Sequence, residues 1–99
     1  MARYEYHLNP DGPGFLIDVQ ADVLGDLRTT VVVPLDRVAR LALQAERLNP
    51  VFDIEGEAFV LLPQLIFALP RSSLGRSRGD LSAEQDRIKA ALDLLFLGI

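Results

Sequence analysis

The alternation of apolar and polar residues predicts two strands near the start of the chain. They cover residues 2–8 and 15–22, and their period of two is typical of strands with one face turned toward a core. The residues predicted to face inward are Tyr4, Tyr6, Leu8, Phe15, Ile17, Val19 and Ala21. His7 and Asp18 fall on the outward, polar side. Residues 9–14 are rich in Asn, Pro, Asp and Gly, so we expect a hairpin with a loose turn.

Further strands are predicted through the middle of the chain. Thr29–Val33 is β-branched throughout and precedes Pro34, which favours a strand. Two segments, Val51–Ile54 and Ala58–Leu62, flank Glu55-Gly56 and predict a second hairpin; Leu65–Leu69 is another apolar strand. Residues 35–48 have helical spacing without a good cap, so a short helix and a strand both stay open.

One helix is predicted near residue 82. Ser82 followed by Gln85 has the spacing of a capping box. A stripe that could pack on a sheet follows at helical spacing: Ile88, Ala91, Leu92, Leu95 and Phe96. Residues 71–79 before it are rich in Gly, Ser and Arg and are expected to be a mobile loop with nothing to pack. The pattern predicts one antiparallel β domain, residues 1–99, closed by a C-terminal helix.

The end of this helix carries more apolar residues than its stripe needs. Leu94, Leu97 and Ile99 lie outside the stripe, so they are either packed into the molecule or offered to a partner. Hydrophobic residues make up 49% of the 99 residues, more than a small monomer easily buries. We therefore expect an oligomer and a contact surface that includes this end.

Charge and composition exclude several classes of function. The net charge of −4 argues against direct binding of nucleic acid, which needs a positive surface. With no cysteine and His7 as the only histidine, no His-dependent triad, thiolate chemistry or multi-His metal site can be built, and we predict no cofactor. Asp18, Asp22 and Asp26 are interpreted as solvent-facing charges. No segment has the length of a signal peptide or a membrane span, so we expect a cytoplasmic protein without membrane contact.

Arg71, Arg76 and Arg78 form the only concentrated positive charge, in the loop before the helix. They could attract a phosphate or an acidic peptide, or they could simply be solvated.

Five segments resemble the CcdB family, the toxins of bacterial toxin–antitoxin pairs. They are residues 18–22 (DVQAD), 31–35 (VVVPL), 49–51 (NPV), 80–82 (DLS) and 88–99 (IKAALDLLFLGI). The resemblance runs in register through nearly the whole chain and reaches the same final Gly-Ile. It implies a mainly β fold: a small, partly open, SH3-like antiparallel barrel with an added small sheet and one C-terminal α-helix, assembled as a homodimer. It also implies that residues 35–48 are partly strand.

The resemblance further implies a non-enzymatic toxin that binds the A subunit of DNA gyrase and traps gyrase on cleaved DNA. Carried over by position, the gyrase-binding residues are Val23, Leu24, Asp93, Leu97, Gly98 and Ile99. A CcdA-like antitoxin would be the second partner, with Arg71, Arg76 and Arg78 as candidate contacts. Toxin and antitoxin together would act at their own promoter, with the antitoxin supplying the DNA-binding domain.

Two positions depart from the family pattern. The family has tryptophan where this chain has Leu97, and asparagine where it has Asp93. The alternatives are therefore a homologue with weakened or altered gyrase targeting, or an endoribonuclease like the related MazF and Kid toxins, which use arginine and acidic side chains in a basic cleft.

Overall fold

A computed structural model describes residues 2–38 and 47–99, which form an antiparallel sheet and one α-helix. The elements are β1 (Glu5–Leu8), β2 (Phe15–Asp18), β3 (Thr29–Arg37), β4 (Val51–Ile54), β5 (Glu57–Leu61), β6 (Phe67–Pro70), β7 (Gly79–Asp80) and α1 (Gln85–Leu97). The prediction for residues 35–48 is settled only in part. Residues 35–37 belong to β3, and residues 39–46 lie outside the described part of the chain.

Both predicted hairpins are confirmed. β1 pairs with β2 in antiparallel register, and β4 pairs with β5 from Val51↔Val60 to Ile54↔Glu57. Glu55 and Gly56 join β4 to β5 with φ angles of 53° and 85°. Positive φ at both central residues is what a type I′ turn requires, and this turn matches the twist of the strands it connects.

The long strand β3 joins the two parts of the sheet. Its first half pairs with β6 and its second half with β5, while β2 lies along its other edge. The order of the described strands is β4-β5-β3-β2-β1-β7, with β6 beside β3. All seven described strands therefore belong to one sheet, in which β3 pairs with β2, β5 and β6. The mainly β fold with a curled half-barrel sheet and a C-terminal helix is confirmed.

The helix closes the concave face of the sheet. Ile88 and Ala91 are fully buried in the main core, as predicted. Arg87 attaches the helix to β4, because it donates to the carbonyl of Val51 (3.0 Å) and lies over the ring of Phe52, 4.6 Å from its centroid. Phe96 was predicted to continue the buried stripe, but its side chain is exposed. Burial along the stripe thus weakens before the helix ends.

The start of the helix differs from the predicted capping box. Ser82 lies in a 3-10 turn, Ser82–Glu84, and makes no side-chain cap for α1. The carboxylate of Asp80 instead accepts a hydrogen bond from the backbone N–H of Ser82 (2.5 Å). Hydrogen bonds from the side chain and backbone of Ser82 hold the pKa of Asp80 below its usual value of 3.8.

The outward face of the first two strands was predicted wrongly. His7 and Asp18 are buried, with exposed fractions of 0% and 2%, whereas Leu8 is half exposed. Asp22 and Asp26 are exposed as predicted. The reason is that β2 is covered on both faces: one side carries Phe15 and Ile17, and the other carries Leu16 and Asp18 under the segment that precedes the helix.

That covering segment, residues 71–79, was expected to pack against nothing, and this expectation is wrong. Leu74 packs on a second apolar cluster of Leu16, Val32 and Leu69. The carbonyl of Gly75 lies 2.8 Å from Nδ1 of His7. Arg78 donates to the carboxylate of Glu55 (2.7 Å), and its backbone N–H donates to the carbonyl of Tyr6 (2.8 Å). The segment is a strap across the outer face of the sheet.

Candidate functional site

The end of α1 presents three large apolar side chains. Leu97 and Ile99 have exposed fractions of 65% and 74%, and Phe96 is exposed to a similar degree. Gly98 ends the helix with a left-handed φ of 77°, and its N–H donates to the carbonyl of Leu94 (3.1 Å). This geometry is a common helix ending that most other residues adopt only with strain. The helix end is therefore an ordered apolar surface.

Asp93 lies on the exposed side of the same helix. Four of the six residues carried over as gyrase contacts thus share one helix end: Asp93, Leu97, Gly98 and Ile99. Elsewhere along its length, helix α1 contacts the 3-10 turn Pro63–Leu65.

The other two predicted contacts lie on a separate loop, residues 22–28. Val23, with an exposed fraction of 88%, and Leu24 belong to a 3-10 turn, Asp22–Leu24, that buries none of its residues. Leu27, further along the loop, is also half exposed. The loop and the helix end are held by different elements within the protomer.

The three arginines of the strap are not equivalent. The side chain of Arg71 is mostly buried: its Nε donates to the carbonyl of Leu27 (2.7 Å), and Nη1 lies 3.9 Å from Oδ2 of Asp18. Arg76 and Arg78 instead line a surface pocket of about 410 Å³ with Leu8 and Gly75. The structure commits Arg71 to bonds within the protein and leaves Arg76 and Arg78 at a surface.

A second pocket shares Leu8 as a wall. It has a volume of about 270 Å³ and is lined by Leu8, Pro13, Gly14, Phe15, Asp36, Arg37 and Phe59. Arg37 pairs with Glu57 through Nε and Oε2 (3.0 Å), and Arg78 lies over the ring of Phe15, 5.7 Å from its centroid. We call the two pockets that share Leu8 the mouth of the half-barrel. Its floor is apolar, and arginines lie around it.

The sequence pattern does not predict these two pockets, because it places Leu8 in the core, whereas the structure places it in their shared wall. A signal was present: Phe15-Leu16-Ile17 is an uninterrupted apolar run, and such a run is typical of a strand covered on both faces. A doubly covered β2 requires the polar residues of its outer face to find partners under a covering segment.

Residues 2–38 and 47–99 contain no cluster of three or more His, Cys, Asp or Glu side chains placed to hold a metal. No helix in these ranges is both long and apolar enough to cross a membrane.

The chain as a whole matches a known class of protein, the small toxins of toxin–antitoxin systems. The family described as "CcdB protein" matches residues 3–98, so the chain belongs to the CcdB family. It is the toxin of a toxin–antitoxin pair, which confirms that part of the resemblance.

Solved structures with the same fold are only distantly related in sequence. An endoribonuclease in complex with its cognate antitoxin, from mycobacterial species, has a TM-score of 0.77 and 17% identity and covers 100% of this chain and 96% of its own. The Mycobacterium tuberculosis toxin MazF-mt6 has a TM-score of 0.76 and 16% identity, and the match covers 93% of this chain and 95% of the MazF-mt6 chain. An endoribonuclease from mycobacterial species has a TM-score of 0.75 and 18% identity, and the match covers 100% of this chain and 92% of the endoribonuclease chain.

These neighbours correct one expectation. The resemblance implied a protein that is not an enzyme, and the neighbours named as endoribonucleases contradict it. The lack of a His-dependent triad excludes one mechanism only, because arginine side chains can stabilise the negative charge that develops during phosphoryl transfer and carboxylates can act as general acids or bases.

Proposed function

We propose that this toxin binds the A subunit of DNA gyrase through the end of α1 and traps gyrase on cleaved DNA. The observation that carries the proposal is the exposure of Phe96, Leu97 and Ile99 on an ordered helix end. Apolar residues of this size normally find a partner surface. Membership in the CcdB family supports gyrase as that partner.

The proposed contacts have distinct physical roles. Leu97 and Ile99 would enter an apolar groove, where a few buried anchors supply most of the binding energy. Gly98 would let the two backbones approach closely. Asp93 would face a cation of the target, and Val23 and Leu24 would add apolar contact from the loop.

Leu97 in place of the family tryptophan should weaken one contact. A tryptophan stacked on an arginine contributes about 0.5–2 kcal/mol that leucine cannot replace. We therefore expect this toxin to bind most tightly to the gyrase of its own host, whose groove can be matched to leucine.

The test is calorimetric titration of the protein with a gyrase A fragment from its own host. The test variant is the double substitution Leu97→Ser/Ile99→Ser, which removes the apolar contact but retains the chain length and Gly98. Leu8→Ser is the matched control, because Leu8 is also an exposed apolar residue but lies on β1, outside the helix end and the loop of residues 22–28. Binding that the double variant loses and the control retains supports the proposal. A folded protein that does not bind, or two variants that bind equally, would contradict it.

For the antitoxin, we propose that Arg76 and Arg78 attract an acidic segment to the pocket beside Leu8. Arg71 is left out because its guanidinium group is mostly buried, whereas Arg78, although it pairs with Glu55, still lines the surface pocket. An antitoxin peptide should bind the Arg76→Glu/Arg78→Glu variant at least about tenfold more weakly, with a smaller dependence on salt. We also propose a homodimer, because the exposed apolar residues of the described segments exceed what a small monomer needs.

A second candidate function is cleavage of RNA at the mouth of the half-barrel. The similarity to endoribonuclease structures and the arginines around the two pockets favour it. Incubation of the purified protein with RNA separates the candidates: cleavage that is lost in Arg37→Ala and retained in Leu97→Ser/Ile99→Ser would support the enzyme. Gyrase-bound cleaved DNA that depends on Leu97 and Ile99, without RNA cleavage, would support the first proposal.

A further inference from the structure

A buried polar network begins at Asp18 on β2. Its Oδ1 accepts hydrogen bonds from the hydroxyl of Thr30 (2.9 Å) and from the backbone N–H of Gln20 (3.0 Å). Its Oδ2 faces Nη1 of Arg71 at 3.9 Å. Asp18 and Thr30 are almost fully buried, and the side chain of Arg71 has an exposed fraction of 18%. A carboxylate in such a place needs its partners, because an unpaired buried charge is costly.

Arg71 connects this network to the loop of residues 22–28. Its Nε donates to the carbonyl of Leu27 (2.7 Å), and its Nη2 lies 3.4 Å from the carbonyl of Leu24. Its backbone N–H also donates to the carbonyl of Arg28 (2.8 Å). Gln20 adds a longer bond from Nε2 to the carbonyl of Leu24 (3.4 Å). One guanidinium group therefore bridges a buried anion and two carbonyls of the loop.

Apart from Arg71 and Gln20, the loop is held by hydrogen bonds at its start and within its own turns. The backbone N–H of Arg3 donates to Oδ1 of Asp22 (2.8 Å), and the N–H groups of Leu24, Gly25 and Leu27 each donate to the carbonyl three residues earlier. Its turn Asp22–Leu24 buries no residue, and Val23, Leu24 and Leu27 point apolar surface outward. Hydrophobic burial therefore contributes little to its order, and a loop of this kind would ordinarily sample many conformations. To these local bonds Arg71 adds side-chain donors that attach the later part of the loop, at Leu24 and Leu27, to the body of the protein.

We propose that Arg71 is a positioning residue for target binding: anchored on Asp18, it holds residues 22–28 in the conformation that presents Val23 and Leu24. This inference rests on the proposed gyrase function, since those two residues are its proposed contacts. We call the hydrogen bonds from Arg71 to the carbonyls of Leu24 and Leu27 the clamp. A loop that is already ordered loses less conformational entropy on binding, so loss of the clamp should weaken binding about tenfold.

The experiment combines hydrogen exchange of the backbone amides with calorimetric titration of the gyrase A fragment. Arg71→Met removes the donors but retains most of the packing. Since this leaves Asp18 buried without its cation, a second variant, Asp18→Asn/Arg71→Met, removes the charge as well. Arg28→Met is the matched control, because it also removes one cation from this region, and the Arg28 group that Arg71 contacts is its carbonyl.

The expected result has three parts. Amides of residues 22–28 exchange faster in both Arg71 variants, while those of β5 keep their protection. Affinity falls about tenfold, and the loss appears in the binding entropy, because the loop must now be ordered on binding. Arg28→Met retains slow loop exchange.

Other results overturn the inference. Unchanged loop exchange in the Arg71 variants would show that Arg71 is not the clamp, and faster exchange with unchanged affinity would show that clamping does not serve binding. An equal loss of affinity in Arg28→Met would assign the effect to charge. If the unaltered protein does not bind the fragment, the gyrase proposal fails, while the exchange data still decide the clamp.

Discussion

Gly14 is the position where one added methyl group should disturb this fold most. It joins the first hairpin with a φ of 81°, and a Cβ placed there would lie 2.1 Å from the carbonyl oxygen of Leu35 on β3. Gly56 provides the matched comparison, because it has nearly the same φ of 85° and no atom within 4 Å of such a Cβ. Gly14→Ala and Gly56→Ala therefore share the backbone strain and differ in the steric contact.

The expected magnitudes follow from these two terms. An alanine in the left-handed region costs about 1–2 kcal/mol, and Gly56→Ala should show this term alone. Overpacking adds about 1–3 kcal/mol where rigid neighbours must move, and the neighbour of Gly14 is the backbone of a central strand. Gly14→Ala should therefore lose about 2–5 kcal/mol of a total unfolding free energy of roughly 5–15 kcal/mol.

Thermal unfolding followed by circular dichroism measures both variants. One kcal/mol lowers Tm by about 4–8 °C in a domain of this size, so Gly14→Ala should melt at least about 4 °C below Gly56→Ala. The comparison is made at equal protein concentration because self-association changes Tm. Equal melting temperatures would refute the argument, since they would mean that β3 yields without cost. A large loss in Gly56→Ala would equally contradict it.

Three further predictions concern the helix and its ends. Deletion of residues 97–99 should abolish toxicity yet leave one cooperative melting transition, because Leu97 and Ile99 are mostly exposed; loss of cooperativity would show that they belong to the core. Leu97→Trp should bind an enterobacterial gyrase A fragment more tightly by calorimetry, by the roughly 0.5–2 kcal/mol of a cation–π contact; no gain would mean that the groove is recognised differently. Because the pKa of Asp80 is lowered, the stabilising contribution of its carboxylate is present above pH 3.8 and is lost as the pH falls through the lowered value. Asp80→Asn should therefore reduce the dependence of Tm on pH in the acid range. The same pH dependence in the variant and the unaltered protein would refute this prediction.

The parts of the fold that were predictable are those governed by local rules. The turn at Glu55-Gly56 determines a hairpin, and helical spacing placed Ile88 and Ala91 in the core. Phe96 fits the same spacing, yet its side chain is exposed. Periodicity indicates which residues share a face, but it cannot tell where the covering surface stops.

The outer face was not predictable in the same way. The alternation that turned Tyr6 inward turned His7 outward, and only a covering strap makes His7 buried. The Nδ1 atom of its ring lies 2.8 Å from the carbonyl of Gly75, a residue 68 positions away in the chain. The clamp between Asp18 and Arg71 likewise joins distant segments that each read as solvent-facing polar sequence. Long-range pairing of polar side chains leaves no periodic signal.

The pairing of β1 with β7 has a consequence for synthesis of the toxin. Glu5 lies opposite Asp80, so about 75 residues must follow β1 out of the ribosome before this edge can close. At about 5–20 residues per second, the nascent chain carries an open strand edge for several seconds. Such non-local closure is also slow in itself. Assembly of the finished sheet is therefore delayed relative to translation, and a cell has those seconds in which the emerging toxin is still incomplete.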